Sequence, residues 1–368
     1  MAGAKEHEPA RRSRRRQAWY GLKRPVKRVV SLPGVNQAAH AVVARRRGVE
    51  TAARLPAPLN VKQVEGRVQG LTFTMNDPAR CIIAKELYWG GGRRPRPQDQ
   101  YALEVFALLA TSADIVLDVG SYTGVFSVVA AKANRAVSVH AFDIVPSNVL
   151  AAWSNIIAND LIGRVEVHLH GVGEEGAIRM PAVTHGSALP DFWSLDDSEG
   201  SEEGVSVPVH TLDHVLGTEL GIELEADRSD QSATDRSTDA EAHAPTQQPE
   251  GSEGDRRAPH SEVTWPTYRP EVLIKVDVEG HEAALVTAGR ASIREIRPTF
   301  LMEVLPDADV TPLVETFAGQ GYRFYLIMED RIRESVRPRG EDRYRDWLIT
   351  TQTPEELDAL GIAVTLLT

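Results

Sequence analysis

Short apolar runs alternate with amphipathic stretches through the middle of the chain. Asp114 to Val119 (DIVLDV) is a brief apolar run of the kind that forms a strand buried on both faces, and Gly120 punctuates its end. Thr123 to Ala133 then reads as a helix. Val137 to Phe142 (VSVHAF) predicts a second strand, and Pro146 follows where proline suits the first turn of a helix. In that helix Val149, Leu150, Trp153, Ile156 and Ile157 recur at the spacing of one buried face, and Gly163 ends it. Further strands are expected at Val165 to Leu169, Val205 to Val209, Val272 to Val276, Thr299 to Val304, Arg323 to Ile327 and Trp347 to Thr350. Strands alternating with helices, the strands nearly continuous in apolar residues, predict an α/β doubly wound, mostly parallel, Rossmann-like sheet.

Two regions break this pattern. Residues 1 to 60 lack sustained periodicity and read as a flexible basic arm with one short helix near Asn36 to Arg47. Ala226 to Glu262 contains no Val, Ile, Leu, Met, Phe, Trp or Tyr, so it cannot bury enough apolar surface to offset its ordering entropy. A disordered acidic insert over about 222–264 is the expectation, and the acidic stretch Asp191 to Glu203 reads as a second, shorter loop.

Charge sharpens this division. The net charge of -11 is the sum of +10 over residues 1–50 and -21 over the rest. The run Arg11 to Arg16 suits a weak contact with an anionic surface, and a solvated arm is the simpler reading. Lys23, Arg24, Pro25, Lys27 and Arg28 interrupt the place where a signal peptide needs an apolar stretch. No apolar run approaches the ~20 residues that span a bilayer. A single cysteine, Cys81, cannot form an internal disulfide, and together these features predict a cytoplasmic protein without a transmembrane segment.

The first chemical motif is Asp118-Val119-Gly120-Ser121-Tyr122-Thr123-Gly124, set where a buried strand turns into a helix. Ligands bind beyond the carboxyl ends of strands in such sheets, and Gly120 and Gly124 would let the backbone approach one closely. Asp143 ends the next strand, at the separation from Gly120 where a carboxylate reaches the hydroxyls of an adenosine ribose. A dinucleotide fingerprint needs glycine where this chain has Tyr122 and Phe126, which disfavours a nicotinamide-dependent oxidoreductase. S-adenosylmethionine, with adenosine but no pyrophosphate, fits better. Asp118 would then sit near its amino-acid end.

The second motif is Leu273-Ile274-Lys275-Val276-Asp277-Val278-Glu279-Gly280-His281-Glu282, an apolar strand that stops at the same expected edge. Asp277, Glu279 and His281 could converge on one cleft, and an imidazole with an ordinary pKa of ~6.5 can take a proton from a hydroxyl near neutral pH. The alternative is that His281 and Glu282 only cap a helix. Glu303 ends another strand and could line the same edge. A non-catalytic binding module is disfavoured because Asp118, Asp143, Asp277, Glu279 and His281 are all present.

These motifs give the chain a resemblance to the FkbM-type family of class I S-adenosylmethionine-dependent methyltransferases. It rests on DVGSYTG at 118–124, VHAFDIVPSN at 139–148, Asn155 and Asn159, VPVHTLDHVL at 207–216, LIKVDVEGHEAALV at 273–286 and PTFLMEV at 298–304. The resemblance implies a seven-stranded methyltransferase sheet and methylation of a hydroxyl oxygen. It implies cofactor contacts at Asp118, Gly120, Ser121, Tyr122, Gly124, Asp143, Ile144, Gly171 and Val172. It implies catalytic roles for His281 as general base, Asp277 as the orienting residue and Glu279. Asp143 stands where the family more often has glutamate, and Tyr122 where it more often has a small polar residue.

The expected organisation is an arm over 1–60, a substrate-side cap over 61–112, a methyltransferase domain over 113–353 and a C-terminal extension over 354–368. The expected acceptor is a hydroxyl of a sugar, glycan or secondary metabolite, with Tyr88, Trp89, Phe192 and Trp193 near its pocket. No nucleic-acid signature is present. The pairs His168/His170 and His210/His214 each lack a third ligand at a recognised spacing, so they read as packing or surface histidines, and no metal is expected.

Overall fold

The computed structural model describes residues 56–180, 204–222 and 269–367, together with the isolated residues 29, 32, 34, 35 and 38. The basic run at 11–16, the helix expected near Asn36 to Arg47 apart from Ala38, the acidic stretch with Phe192 and Trp193, and the apolar-free insert lie outside these residues.

Nine strands form the main sheet: β3 (Ile115–Val119), β4 (Ser138–Phe142), β5 (Val165–His168), β9 (Val272–Val276), β10 (Thr299–Glu303), β11 (Arg323–Ile327), β12 (Ile332–Ser335), β13 (Asp346–Thr350) and β14 (Val364–Thr365). Their order is β14-β12-β11-β13-β10-β9-β3-β4-β5. The chain runs outward from β3 through β4 to β5 and then returns to lay β9 on the other side of β3, all in parallel. That reversal makes the carboxyl ends of β3 and β9 the topological switch point, where ligand crevices open. β13 inserts antiparallel between β10 and β11. Each face carries its own core: Val116, Val139, Leu273 and Leu348 on one side, Leu117, Phe142, Ile274, Phe300 and Trp347 on the other.

Three features depart from the sequence reading. The sheet has nine strands rather than seven, because β12 folds back on β11 and β14, in the expected C-terminal extension, adds beside it. The strand over 205–210 is not in this sheet. It joins Gly171–Val172 (β6) and Gly176–Met180 (β7) as β8 of a separate three-stranded sheet. The cap region holds an unexpected hairpin, β1 (Gln63–Val68) and β2 (Leu71–Asn76), whose Val64, Val68, Phe73 and Met75 enter the first core.

The helix Pro146–Ala158 is rotated from its expected orientation. It buries Asn148, Ala152, Asn155 and Ile156, while Leu150 is 71% exposed and Trp153 and Ile157 also face outward. Hydrogen bonding decides the rotation. Asn155 accepts from Asn76 N at 2.7 Å and donates to Thr123 O at 2.8 Å, and Asn159 exchanges bonds with Thr74 at 2.8 and 2.7 Å. The open edge of β2 therefore has its backbone groups satisfied by asparagine side chains, which the buried backbone requires.

Candidate functional site

The loop after β3 is built from left-handed residues. Gly120, Tyr122 and Gly124 have φ of 74°, 50° and 71°. Tyr122 tolerates this conformation because it is held at both ends: its N–H donates to Asp143 Oδ2 at 2.8 Å, and its hydroxyl accepts from Ile82 N at 3.3 Å. Burial pushes that hydroxyl's pKa up to about 12, so it stays protonated. Ser121 presents a buried hydroxyl with no hydrogen-bond partner among the described residues.

The two acids of the motif are engaged inside the protein. Asp118 is 1% exposed, and its Oδ2 accepts from Ser127 N at 3.0 Å and Ser127 Oγ at 2.6 Å. It thus satisfies the first turn of the helix Val125–Ala133, whose start at Gly124 offers no side-chain cap. Asp143 accepts from Tyr122 N, from Val145 N at 2.8 Å and from Asn148 Nδ2 at 3.2 Å. Burial raises its pKa to about 7 despite these bonds. Asp143 is therefore the clasp between the glycine loop and the end of β4. Ile144 follows it and lies against Gly171, where an added Cβ would come within 3.1 Å of the Ile144 side chain. Val172 is buried just beyond.

The second motif meets the first through its backbone. Asp277 N donates to Val119 O at 3.0 Å, and a Cβ added to Gly120 would lie 1.8 Å from the Asp277 carbonyl oxygen. Lys275, 2% exposed, sits beneath this junction with its ammonium 3.7 Å from Asp277 Oδ2, 4.0 Å from Asp346 Oδ1 and 5.3 Å from the Phe126 ring centroid. Burial alone would lower its pKa, but Asp277, Asp346, Glu303 and Asp118 more than offset this and raise it. The acids are shifted too. Burial, then the charge of Asp277 and a hydrogen bond with it, push Glu303 up to about 8, so this carboxyl keeps its proton near neutral pH. Burial lifts Asp346 to about 6 against the pull of Lys275.

After Asp277 the chain turns through Glu279 and Gly280, with φ of 52° and 100°. The buried Glu282 carboxylate gathers this turn, accepting from Gly280 N at 3.1 Å and Val278 N at 3.4 Å. Glu279 and His281 stand exposed at the rim. His281 occupies the N-cap position of the helix Glu282–Thr287 without making a side-chain cap, so the capping alternative holds for Glu282's turn and not for the imidazole. Its Nδ1 lies 3.2 Å from Val278 O, which fixes the proton on Nδ1 and leaves Nε2 as the basic nitrogen.

Asp346 and Arg345 went unnoticed in the sequence. They stand at the start of a strand near the chain's end, and only the insertion of β13 beside β10 sets Asp346 opposite Glu303 and Arg345 Nη1 3.6 Å from Glu303 Oε1. Arg94, ion-paired to Glu86 at 3.0 Å and Asp99 at 3.3 Å, adds a partly buried cation nearby. Trp89, expected near the acceptor, is 4% exposed and belongs to the packing.

The strand order, the antiparallel β13 and the glycine loop at the switch point define a Rossmann-like class I methyltransferase fold. Residues 91–180 match the family model of ribosomal protein L11 methyltransferase (PrmA). No curated protein matches the chain. Among solved structures it is similar to the methyltransferase FkbM from Methylobacillus flagellatus KT, at 15% identity and TM-score 0.35 over 65% of this chain and 44% of that one. The chain therefore spans less than half the length of that protein. It is also similar to an O-methyltransferase from Bacillus cereus in complex with SAH, at 12% identity and TM-score 0.32 over 68% of this chain and 79% of that one. A SAM-dependent methyltransferase from Agrobacterium tumefaciens matches at 13% identity and TM-score 0.36, over 81% of this chain and 73% of that one. No described helix is long and apolar enough to cross a membrane.

Proposed function

We propose that this protein is an S-adenosylmethionine-dependent methyltransferase that methylates a hydroxyl oxygen of a sugar, glycan or secondary metabolite. The observation that carries the reading is the contact of Gly120 with the Asp277 carbonyl, which sets the glycine loop and the Lys275–His281 block on one sheet edge. The loop suits this donor. Gly120 and Gly124 keep the backbone open, the buried Ser121 hydroxyl is free to bond, and Ile144 against Gly171 offers an apolar surface for adenine. The donor would supply a methyl group made electrophilic by its sulfonium.

The residues of the chain then have separable tasks. His281 Nε2 takes the proton of the acceptor hydroxyl, its tautomer held by Val278 O. Asp277, ion-paired with Lys275 and hydrogen-bonded to Glu303, orients the hydroxyl for in-line attack. Glu279 lines the rim beside them. A cleft of about 220 Å³ between the cap region and Glu329 is lined by Pro95 and Pro97 together with Arg93, Arg94, Gln100 and Glu104, whose polar groups suit a polyhydroxylated acceptor.

Calorimetry with S-adenosylmethionine, S-adenosylhomocysteine and NAD tests the donor. Binding of NAD but of neither sulfur nucleoside would overturn it. Release of S-adenosylhomocysteine across a panel of sugars, glycolipids, polyketides and RNA tests the acceptor, and transfer confined to RNA would refute the hydroxyl-metabolite assignment.

A further inference from the structure

Five histidines stand in a row where the edge of the main sheet meets the small sheet. His140, His168, His170, His210 and His214 follow one another with ring centroids 5.6, 5.5, 5.2 and 4.7 Å apart. Three carboxylates, Glu166, Glu175 and Glu219, lie among them. None of these residues has a task in methyl transfer.

We infer that His210, His214 and Glu219 form a binding site for a divalent transition-metal ion of the zinc class. The ligand atoms of these three residues lie within 4.8 Å of one another, and Glu219 Oε1 is 3.8 Å from His214 Nε2. Ligand atoms around tetrahedral zinc sit about 3.3 Å apart, given bonds of roughly 2.0–2.1 Å, so small rotamer changes close the site. Two imidazoles and one carboxylate select borderline ions over calcium or magnesium, which take oxygen ligands.

The backbone is shaped to bring the third ligand in. Val215–Glu219 is a π-helical turn, with Leu220 N bonded to Val215 O at 3.0 Å. In an α-helix, residues five apart point about 140° away from each other. A π turn instead stacks them, and such turns concentrate at functional sites. Glu219 thereby falls over His214, a spacing that no ordinary helical motif would reveal. The outer groups also suit a ligated metal. Glu175 Oε1 lies 3.0 Å from His210 Nδ1, leaving the other ring nitrogen for an ion, and His170 Nε2 holds the second oxygen of Glu219 at 3.5 Å. A carboxylate on the far nitrogen of a ligating imidazole is the usual support of such sites. The three side chains are 26%, 39% and 25% exposed, so an ion has a way in.

The inference stands apart from the methyl-transfer reading. Its test uses the full chain, without a histidine tag, stripped with chelator and titrated with zinc by calorimetry and with cobalt by visible absorption. Saturable uptake of zinc is expected, with the intense d–d bands of low-coordinate cobalt. Glu219→Gln and His214→Ala should each weaken zinc binding about 100-fold or more, and Glu175→Gln roughly 10-fold, while the metal-free melting curves stay close to wild type. If Glu219→Gln does not fold, the half-exposed His214→Gln replaces it. Absence of saturable uptake by the wild-type chain, or equal affinity in the ligand variants, would overturn the site.

Discussion

The Asp277 carbonyl oxygen occupies the space that any side chain at Gly120 would need, 1.8 Å from an added Cβ. One backbone thus fits into the other at the switch point, and both candidate motifs depend on that fit. Gly120 also has φ of 74°, so substitution meets strain as well as a clash. Gly120→Ala is expected to cost roughly 2–5 kcal/mol of stability and to abolish donor binding. Urea denaturation and calorimetry read the two effects, and wild-type behaviour in both would show that the two backbones do not fit this closely.

His281 is exposed and does not cap its helix with its side chain, so its removal should leave the fold intact. His281→Ala should lower turnover by roughly 100-fold to 10,000-fold, the usual contribution of a general base, with donor affinity nearly unchanged. Unaltered turnover would sink the base assignment.

Glu303 predicts a pH dependence of stability. Its folded pKa of about 8 lies above the carboxylate value expected in the unfolded chain, so the native state binds a proton that the unfolded state has lost. The contribution is fully present below about pH 4 and disappears as pH rises through about 8. Asp143, raised to about 7, acts in the same direction. Glu303→Gln keeps a hydrogen-bond donor toward Asp277 but cannot ionise, so it should flatten the decline in stability between pH 5 and 9. Chemical denaturation at pH 5, 7 and 9 checks this, and an unchanged slope would argue against the raised Glu303 pKa.

The helix Pro146–Ala158 offers a contrast between apolar pattern and actual load. Asn155→Ala strands Asn76 N and Thr123 O, both in the linkage between hairpin and glycine loop, and should cost about 2–4 kcal/mol. Trp153→Ser, at an outward-facing position, should stay within about 0.5 kcal/mol of wild type. The reverse ranking in urea denaturation would mean that the helix packs through its apolar stripe.

Strand positions and the glycine loop could be read from the chain alone because they are local: an apolar run of five or six residues and a glycine at its end leave few other conformations open. The same holds for the Asp277–His281 block, which ends such a run. Relations set by partners distant in the chain could not be read this way. Asp143, spaced for a ribose, also clasps the loop, because Tyr122 N, Val145 N and Asn148 converge on it. Leu150 and Ile157 looked buried until the unsatisfied edge of β2 claimed the asparagine face of their helix. Asp346 and Glu219 carried no signal at all, since one acquires its neighbours through an antiparallel strand inserted between β10 and β11 and the other through a single π turn. Local propensity is a property of neighbouring residues, whereas the pairing of polar groups is settled only when the whole chain has closed around them.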